Sequence, residues 1–137
     1  MFKILSHTAD IRLYVTASGF EELFQSALRG MANLQKGDFC EQQNQSLVIQ
    51  DSIQLHAIDR TSLLIDFLSK VLTLSQINRV IYCKVNFHKL SDTELTATIE
   101  GNKVNFFDED IKAVTYHEAE LIENKDRQLE TVIIFDI

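Results

Sequence analysis

Two aspartates near opposite ends of the chain, Asp10 and Asp136, are the residues whose type and setting most directly suggest chemistry. Asp10 follows Ser6-His7-Thr8-Ala9 and immediately precedes Ile11-Arg12-Leu13-Tyr14-Val15-Thr16-Ala17, an apolar/polar alternation that predicts a half-buried strand. Asp136 closes Leu129-Glu130-Thr131-Val132-Ile133-Ile134-Phe135, a second strand pattern, and Ile137 follows it. If these two strands are neighbours in one sheet, Asp10, Asp136 and the terminal carboxylate of Ile137 converge. Three carboxylates in one place repel one another unless a cation sits between them. An all-oxygen donor set points to a hard divalent cation, calcium or magnesium, and away from zinc or copper. On spacing alone, the same aspartates also fit ordinary turn and edge positions.

Little else in the sequence offers chemistry. Lys112 stands between Ile111 and Ala113, in a stretch that otherwise favours burial, just after the acidic Asp108-Glu109-Asp110. The plain reading is a lysine that snorkels from a strand edge and pairs with that loop. The functional reading is an ammonium presented beside the carboxylates. His7 fits a base, a ligand or a hydrogen-bonded structural residue. His56, His88 and His117 fall in predicted strands without H-x-H or H-E-x-x-H spacing. No Walker loop, G-x-S-x-G elbow or dinucleotide turn is present, and there are only 4 glycines, widely scattered. Cys40 and Cys83 lack CxxC spacing and cannot form a tetrahedral zinc site alone, so free thiols are expected.

The elements that must position these residues follow from the patterning. At 137 residues the chain is expected to form a single domain, residues 1–137, with a substantial core. Its formal charge of -7 argues against a basic nucleic-acid face, so no direct nucleic-acid binding is expected. No apolar run approaches membrane-spanning length, and Met1-Phe2-Lys3-Ile4-Leu5 is too short for a signal peptide, so the expected compartment is the cytoplasm.

Phe2–Leu5 reads as a short apolar strand, and Ile11–Ala17 as the next. Ser18 with Glu21 forms a capping-box pattern that predicts a helix with Phe20, Leu23, Phe24, Ala27, Leu28, Met31 and Leu34 on its apolar face and Gly37 at its end. Asp38–Ser46 reads as an exposed loop. Leu47-Val48-Ile49 and Ile53–Ala57 read as strand pieces bent at Gln50-Asp51. Asp59 or Thr61 caps a second helix, expected to be the more buried, in which Asp66 and Lys70 have the spacing of an ion pair worth about 0.3–0.5 kcal/mol. From Arg79 the period changes to two, and about five strands follow as a meander, including Val104–Phe107 and part of Ile111–His117. The expected class is α+β, with two helices packed on one face of a largely antiparallel sheet.

Four segments carry a further implication. His7-Thr8-Ala9-Asp10, Leu63-Leu64-Ile65-Asp66-Phe67-Leu68, Ile111–His117 and Ile133–Ile137 occur in an order and at a spacing that resembles the archease family across nearly the whole chain. The resemblance implies a small α+β domain that is not itself an enzyme. It would act as a protein cofactor of the GTP-dependent tRNA-splicing RNA ligase, which joins 3′-phosphate or 2′,3′-cyclic phosphate RNA ends to 5′-hydroxyl ends. It carries the family's metal site onto Asp10, Asp136 and Ile137, and its important lysine onto Lys112. Two alternatives remain beside it: a chaperone-like modulator of a tRNA methyltransferase, and a small metal-dependent phosphohydrolase with His7 as its one candidate base. The chain departs from the family pattern at Ser6, where many members are acidic, and at Ser69 and Lys70 of the second helix.

Overall fold

The structure, a computed structural model, describes residues 10–42 and 46–137. The predicted Phe2–Leu5 strand, Ser6, His7 and part of the polar loop before Leu47 lie outside the described residues. The chain order is β1 (Asp10–Ala17), α1 (Phe20–Gln35), β2 (Ile49–His56), α2 (Arg60–Asn78), β3 (Val80–Leu90), β4 (Glu94–Lys103), β5 (Ala113–Thr115), β6 (Ile122–Glu123) and β7 (Leu129–Asp136). Two helices with antiparallel strands make the protein α+β, as the patterning predicts. The strands divide into two sheets: β1–β7–β5 with β6 also on β7, and β2–β4–β3. All pairings are antiparallel.

Both helices lie against both sheets. α1 packs on β1 and β3, while α2 packs on β2, β3 and β5. One core results, built from Val15 and Phe135 of the first sheet, Ile53, Tyr82 and Ile99 of the second, and Phe24, Leu28, Phe67 and Leu68 of the helices. Phe24 anchors it, with ring contacts to Phe20 at 4.9 Å, Phe67 at 5.3 Å and Phe87 at 5.7 Å. β4 crosses β3 so closely at Gly101 that a Cβ there would lie 2.1 Å from the Ile81 carbonyl oxygen, which is why no side chain fits.

Several local expectations change. α1 starts at Phe20 behind Gly19, which has no capping side chain. Ser18 sits one residue too early to cap, and both its N–H (3.2 Å) and its hydroxyl (2.5 Å) donate to Glu22 in place of a capping box with Glu21. Asp59 does cap α2, accepting from the Ser62 N–H at 2.8 Å. α2 buries 8 of its 19 residues against 7 of 16 in α1, so it is not the more buried helix; its C-terminal half turns Lys70, Thr73, Gln76 and Ile77 outward. β2 runs straight through Gln50 and Asp51, because Glu100 and Tyr82 hold their side chains across the ladder. Val104–Phe107 is irregular, and only Ala113–Thr115 of the 111–117 stretch is strand. Asp66 accepts from the Tyr116 hydroxyl instead of pairing with Lys70.

The expectation of free thiols is also corrected. Cys40, in the turn after α1, and Cys83, in β3, form a disulfide with Cα atoms 5.6 Å apart across 43 positions of sequence. A small apolar cluster of Ala32, Ile81 and Val104 surrounds it. The long bridged loop constrains the unfolded chain, so reduction is expected to cost about 2–4 kcal/mol and to lower the melting temperature by on the order of 10 °C. Calorimetry with and without reductant checks the cost, and a thiol titration of the denatured, unreduced protein should find no reactive cysteine.

Candidate functional site

The end of the first sheet is built by an unbroken register. β1 and β7 pair over eight positions, from Asp10 opposite Asp136 to Ala17 opposite Leu129. On its other side β7 pairs with β5, and Asp136 stands opposite Ala113. Asp136 is therefore central, flanked by Asp10 on one strand and by the start of β5 on the other. Directly opposed residues in an antiparallel pair share one sheet face, so the Asp10 and Asp136 carboxylates lie on the same side. Asp10 is half-buried and Asp136 exposed. Ile137 follows Asp136 and packs, partly buried, against the core.

Lys112 arrives at the same end of the sheet. Its N–H donates to the Asp136 carbonyl oxygen at 2.7 Å, and the preceding carbonyl, that of Ile111, accepts from Gln76 Nε2 at 2.5 Å. Helix α2 and strand β7 thus clamp the backbone on either side of the lysine. Strand alternation places Lys112 on the side of buried Val114 and Phe135, opposite to the face of the two aspartates. There it borders a cavity of about 190 Å³ whose far wall is Ser69, Leu72, Thr73 and Gln76 of α2. Its ammonium makes no ion pair among the described residues.

Asp108, the first residue of the acidic loop that the sequence offered as its partner, is engaged elsewhere. Asp108 accepts from Lys36 Nζ at 2.9 Å and from the Gly37 N–H at 3.0 Å. These bonds, the lysine's first, hold its carboxyl below the usual range.

Asp10, Asp136, Ile137 and Lys112 are thus gathered at one sheet end, while His7 lies outside the described residues. Among the described residues no group of three or more His, Cys, Asp or Glu side chains gathers. Among the described residues the aspartates therefore stand as a pair, with Ile137 next to Asp136 at the same sheet end. Ser69, Thr73 and Gln76 were not picked out as a set by the sequence reading. Their i, i+4, i+7 spacing on one helix face was the available signal.

Architecture and site together describe a small two-helix α+β protein that brings its first described strand and its last strand together to present paired carboxylates. The chain matches the model of the archease protein family (MTH1598/TM1083) over residues 2–137, and it belongs to that family. It is 30% identical to the protein archease of Methanosarcina mazei over 128 residues, covering 88% of this chain and 85% of that one. It is 27% identical to that of Methanosarcina barkeri, with 97% and 94% covered. Among solved structures, Methanobacterium thermoautotrophicum protein 1598 matches with a TM-score of 0.72 at 23% identity, covering 97% of this chain and 96% of that one. A Thermotoga maritima archease, described as a possible chaperone, matches with a TM-score of 0.66 at 22% identity over 100% and 98%. These two show the fold alone.

Two ionised carboxylates directly opposed across a ladder destabilise it. In chelator-treated buffer, Asp10→Asn is therefore expected to stabilise the protein by about 0.2–1 kcal/mol, with the gain shrinking at high salt and vanishing in an Asp136→Asn background. Denaturant melts of the four proteins test this. Equal stability of wild type and Asp10→Asn would mean that the two charges do not meet.

Proposed function

We propose that this protein is a metal-bearing protein cofactor of a GTP-dependent tRNA-splicing RNA ligase, promoting its guanylylation and multiple turnover, and not an enzyme in its own right. The observation that carries the reading is the register that sets Asp10 opposite Asp136 and hydrogen-bonds Lys112 to Asp136 at one sheet end. Asp10, Asp136 and an oxygen of Ile137 would hold a calcium or magnesium ion, and that ion would offset the repulsion between the carboxylates. The net charge of -7 supports a protein that approaches a basic, RNA-binding partner and leaves the RNA to it. Family membership supports the ligase as that partner. No helix among the described residues is long and apolar enough to cross a membrane, and a cytoplasmic site of action belongs to the same proposal.

One observation favours a second reading. The description of the Thermotoga relative as a possible chaperone agrees with a chaperone-like modulator of a tRNA methyltransferase. A phosphohydrolase has less support: among the described residues the neighbours of the aspartate pair on its sheet face are Arg12, Ile134 and Ala113, none of them a nucleophile.

The metal site is tested by calorimetric titration with calcium and with magnesium. Wild type should bind one ion and Asp10→Asn should not; equal binding by both would place the ion elsewhere. Residues added after Ile137 should weaken binding if the terminal charge is a ligand, whereas unchanged affinity would leave only the carbonyl.

Lys112→Ala separates function from folding. Its ammonium is exposed and makes no ion pair among the described residues, so the melting temperature should stay within a few degrees of wild type. The variant should fail to accelerate guanylylation or multiple-turnover joining by the purified ligase. Normal acceleration would remove Lys112 from the proposal, and unfolding would make the lysine structural.

A further inference from the structure

The first sheet carries a second concavity, on the face that bears the aspartate pair but farther along the strands. It encloses about 190 Å³ between Tyr14, Glu118, Glu120, Ile122, Glu130 and Val132. Tyr14 is the register partner of Val132, and Ile122 that of Glu130, so these four side chains share the face turned away from buried Val15, Ile133 and Phe135. Tyr14 is 58% exposed and Ile122 44%, an unusual placing for two large side chains that line one concavity on a sheet face.

Charge around this floor is one-sided. Among the described residues three glutamates line it and no lysine or arginine does. Glu118 is matched by Arg12 Nη1 at 2.5 Å, a contact that holds its carboxyl below the usual range and keeps it ionised at neutral pH. Glu130 accepts from the Tyr14 hydroxyl at 2.5 Å and from Asn124 Nδ2 at 3.3 Å, both neutral donors. Glu120 is exposed and has no hydrogen bond or ion pair among the described residues. Among the described residues, two carboxylates thus stand without a cation over an apolar floor.

The side chain that complements such a site is apolar along its stem and cationic at its tip. Arginine suits it better than lysine, because a planar guanidinium both spans two carboxylates and stacks on the tyrosine ring. A phosphate-bearing ligand would be repelled. We propose that this concavity docks an arginine-bearing segment of a partner protein, with the guanidinium between Glu120 and Glu130 and flanking apolar side chains on Tyr14, Ile122 and Val132. The inference does not depend on the metal site or on which protein supplies the segment.

Amide chemical shifts of the isotope-labelled protein, followed during titration with the blocked tripeptide acetyl-Leu-Arg-Leu-amide, test it. Saturable shifts are expected, confined to residues 12–16, 118–123 and 129–133, weakening as salt is raised. Glu120→Gln should lower the affinity by about two- to five-fold, with an unchanged melting temperature. Acetyl-Leu-Glu-Leu-amide should leave the same amides unmoved. Absent shifts, shifts on another face, or equal binding of the two peptides would overturn the proposal. Binding of spermidine as tight as that of the peptide would overturn it in favour of a free polyamine. Concentration-dependent dimerisation of the free protein that covers these amides would overturn it in favour of a second copy.

Discussion

The pairing of β1 with β7 is the constraint on which the rest of the structure depends. It joins residues separated by nearly the whole chain, and closing so long a loop costs conformational entropy that no hydrogen-bond ladder offsets alone. Burial supplies the difference. On the inner face Val15, Ala17, Ile133 and Phe135 all lie in the core, where α1 reaches β1 and α2 reaches β5. Because side chains alternate strictly along a strand, seating these four residues inward excludes a slip of one position, which would turn the whole apolar set outward. The core therefore keeps Asp10 and Asp136 on one face, and the eight-position register sets them opposite each other.

That meeting is not what stability would choose. Opposed aspartates at the end of a ladder repel, and replacing either with a neutral residue would cost the core nothing, since both sit on the outer face. Lys112 lies close enough for its backbone to bond Asp136, yet its side chain leaves along the other face. The Lys112 ammonium is thus directed away from the pair, and the Arg12 guanidinium, on the aspartates' own face, is held by Glu118. This repulsion is what the proposed cation would offset.

What the sequence revealed depended on how local the governing interactions are. The Ile11–Ala17 alternation and the periodicity of α1 are settled by near neighbours and could be read directly, while the cap of α2 was narrowed to Asp59 or Thr61, of which Asp59 caps it. The Asp10–Asp136 convergence was legible only conditionally, because two strand patterns ending in acid say nothing of which strands pair. The remaining differences are tertiary. Cys40 and Cys83 have no spacing signature, since the packing of the turn after α1 against β3 brings them together. Asp108 lies four residues from Lys112 but is held by Lys36 at the end of α1. The straight course of β2 through Gln50 and Asp51 rests on partners in β4 and β3. The disulfide also bears on the expected compartment, since reducing cytoplasm keeps most such pairs as thiols.

The two faces of the first sheet divide the chemistry between them. The inner face, otherwise committed to the core, emerges at its end as the Lys112 cavity walled by Ser69, Thr73 and Gln76. The outer face carries the aspartates at the same end and, farther along, the Tyr14–Ile122 floor ringed by glutamates. Strand rise is about 3.3 Å per residue, so the four positions from Asp10 to Tyr14 span only about 13 Å. One partner can therefore contact the acidic groove and the aspartate pair together, reading the outer face along the strand direction. Lys112, reached around the sheet end, is accessible to that partner only if it also wraps the rim between β5 and α2. A single-residue change in length between Lys112 and Val114 would exchange the faces, moving the ammonium onto the aspartates and neutralising them. The separation of the cation from the carboxylates is therefore written into the spacing of the β5 entry, and the register of β7 turns that spacing into opposite faces.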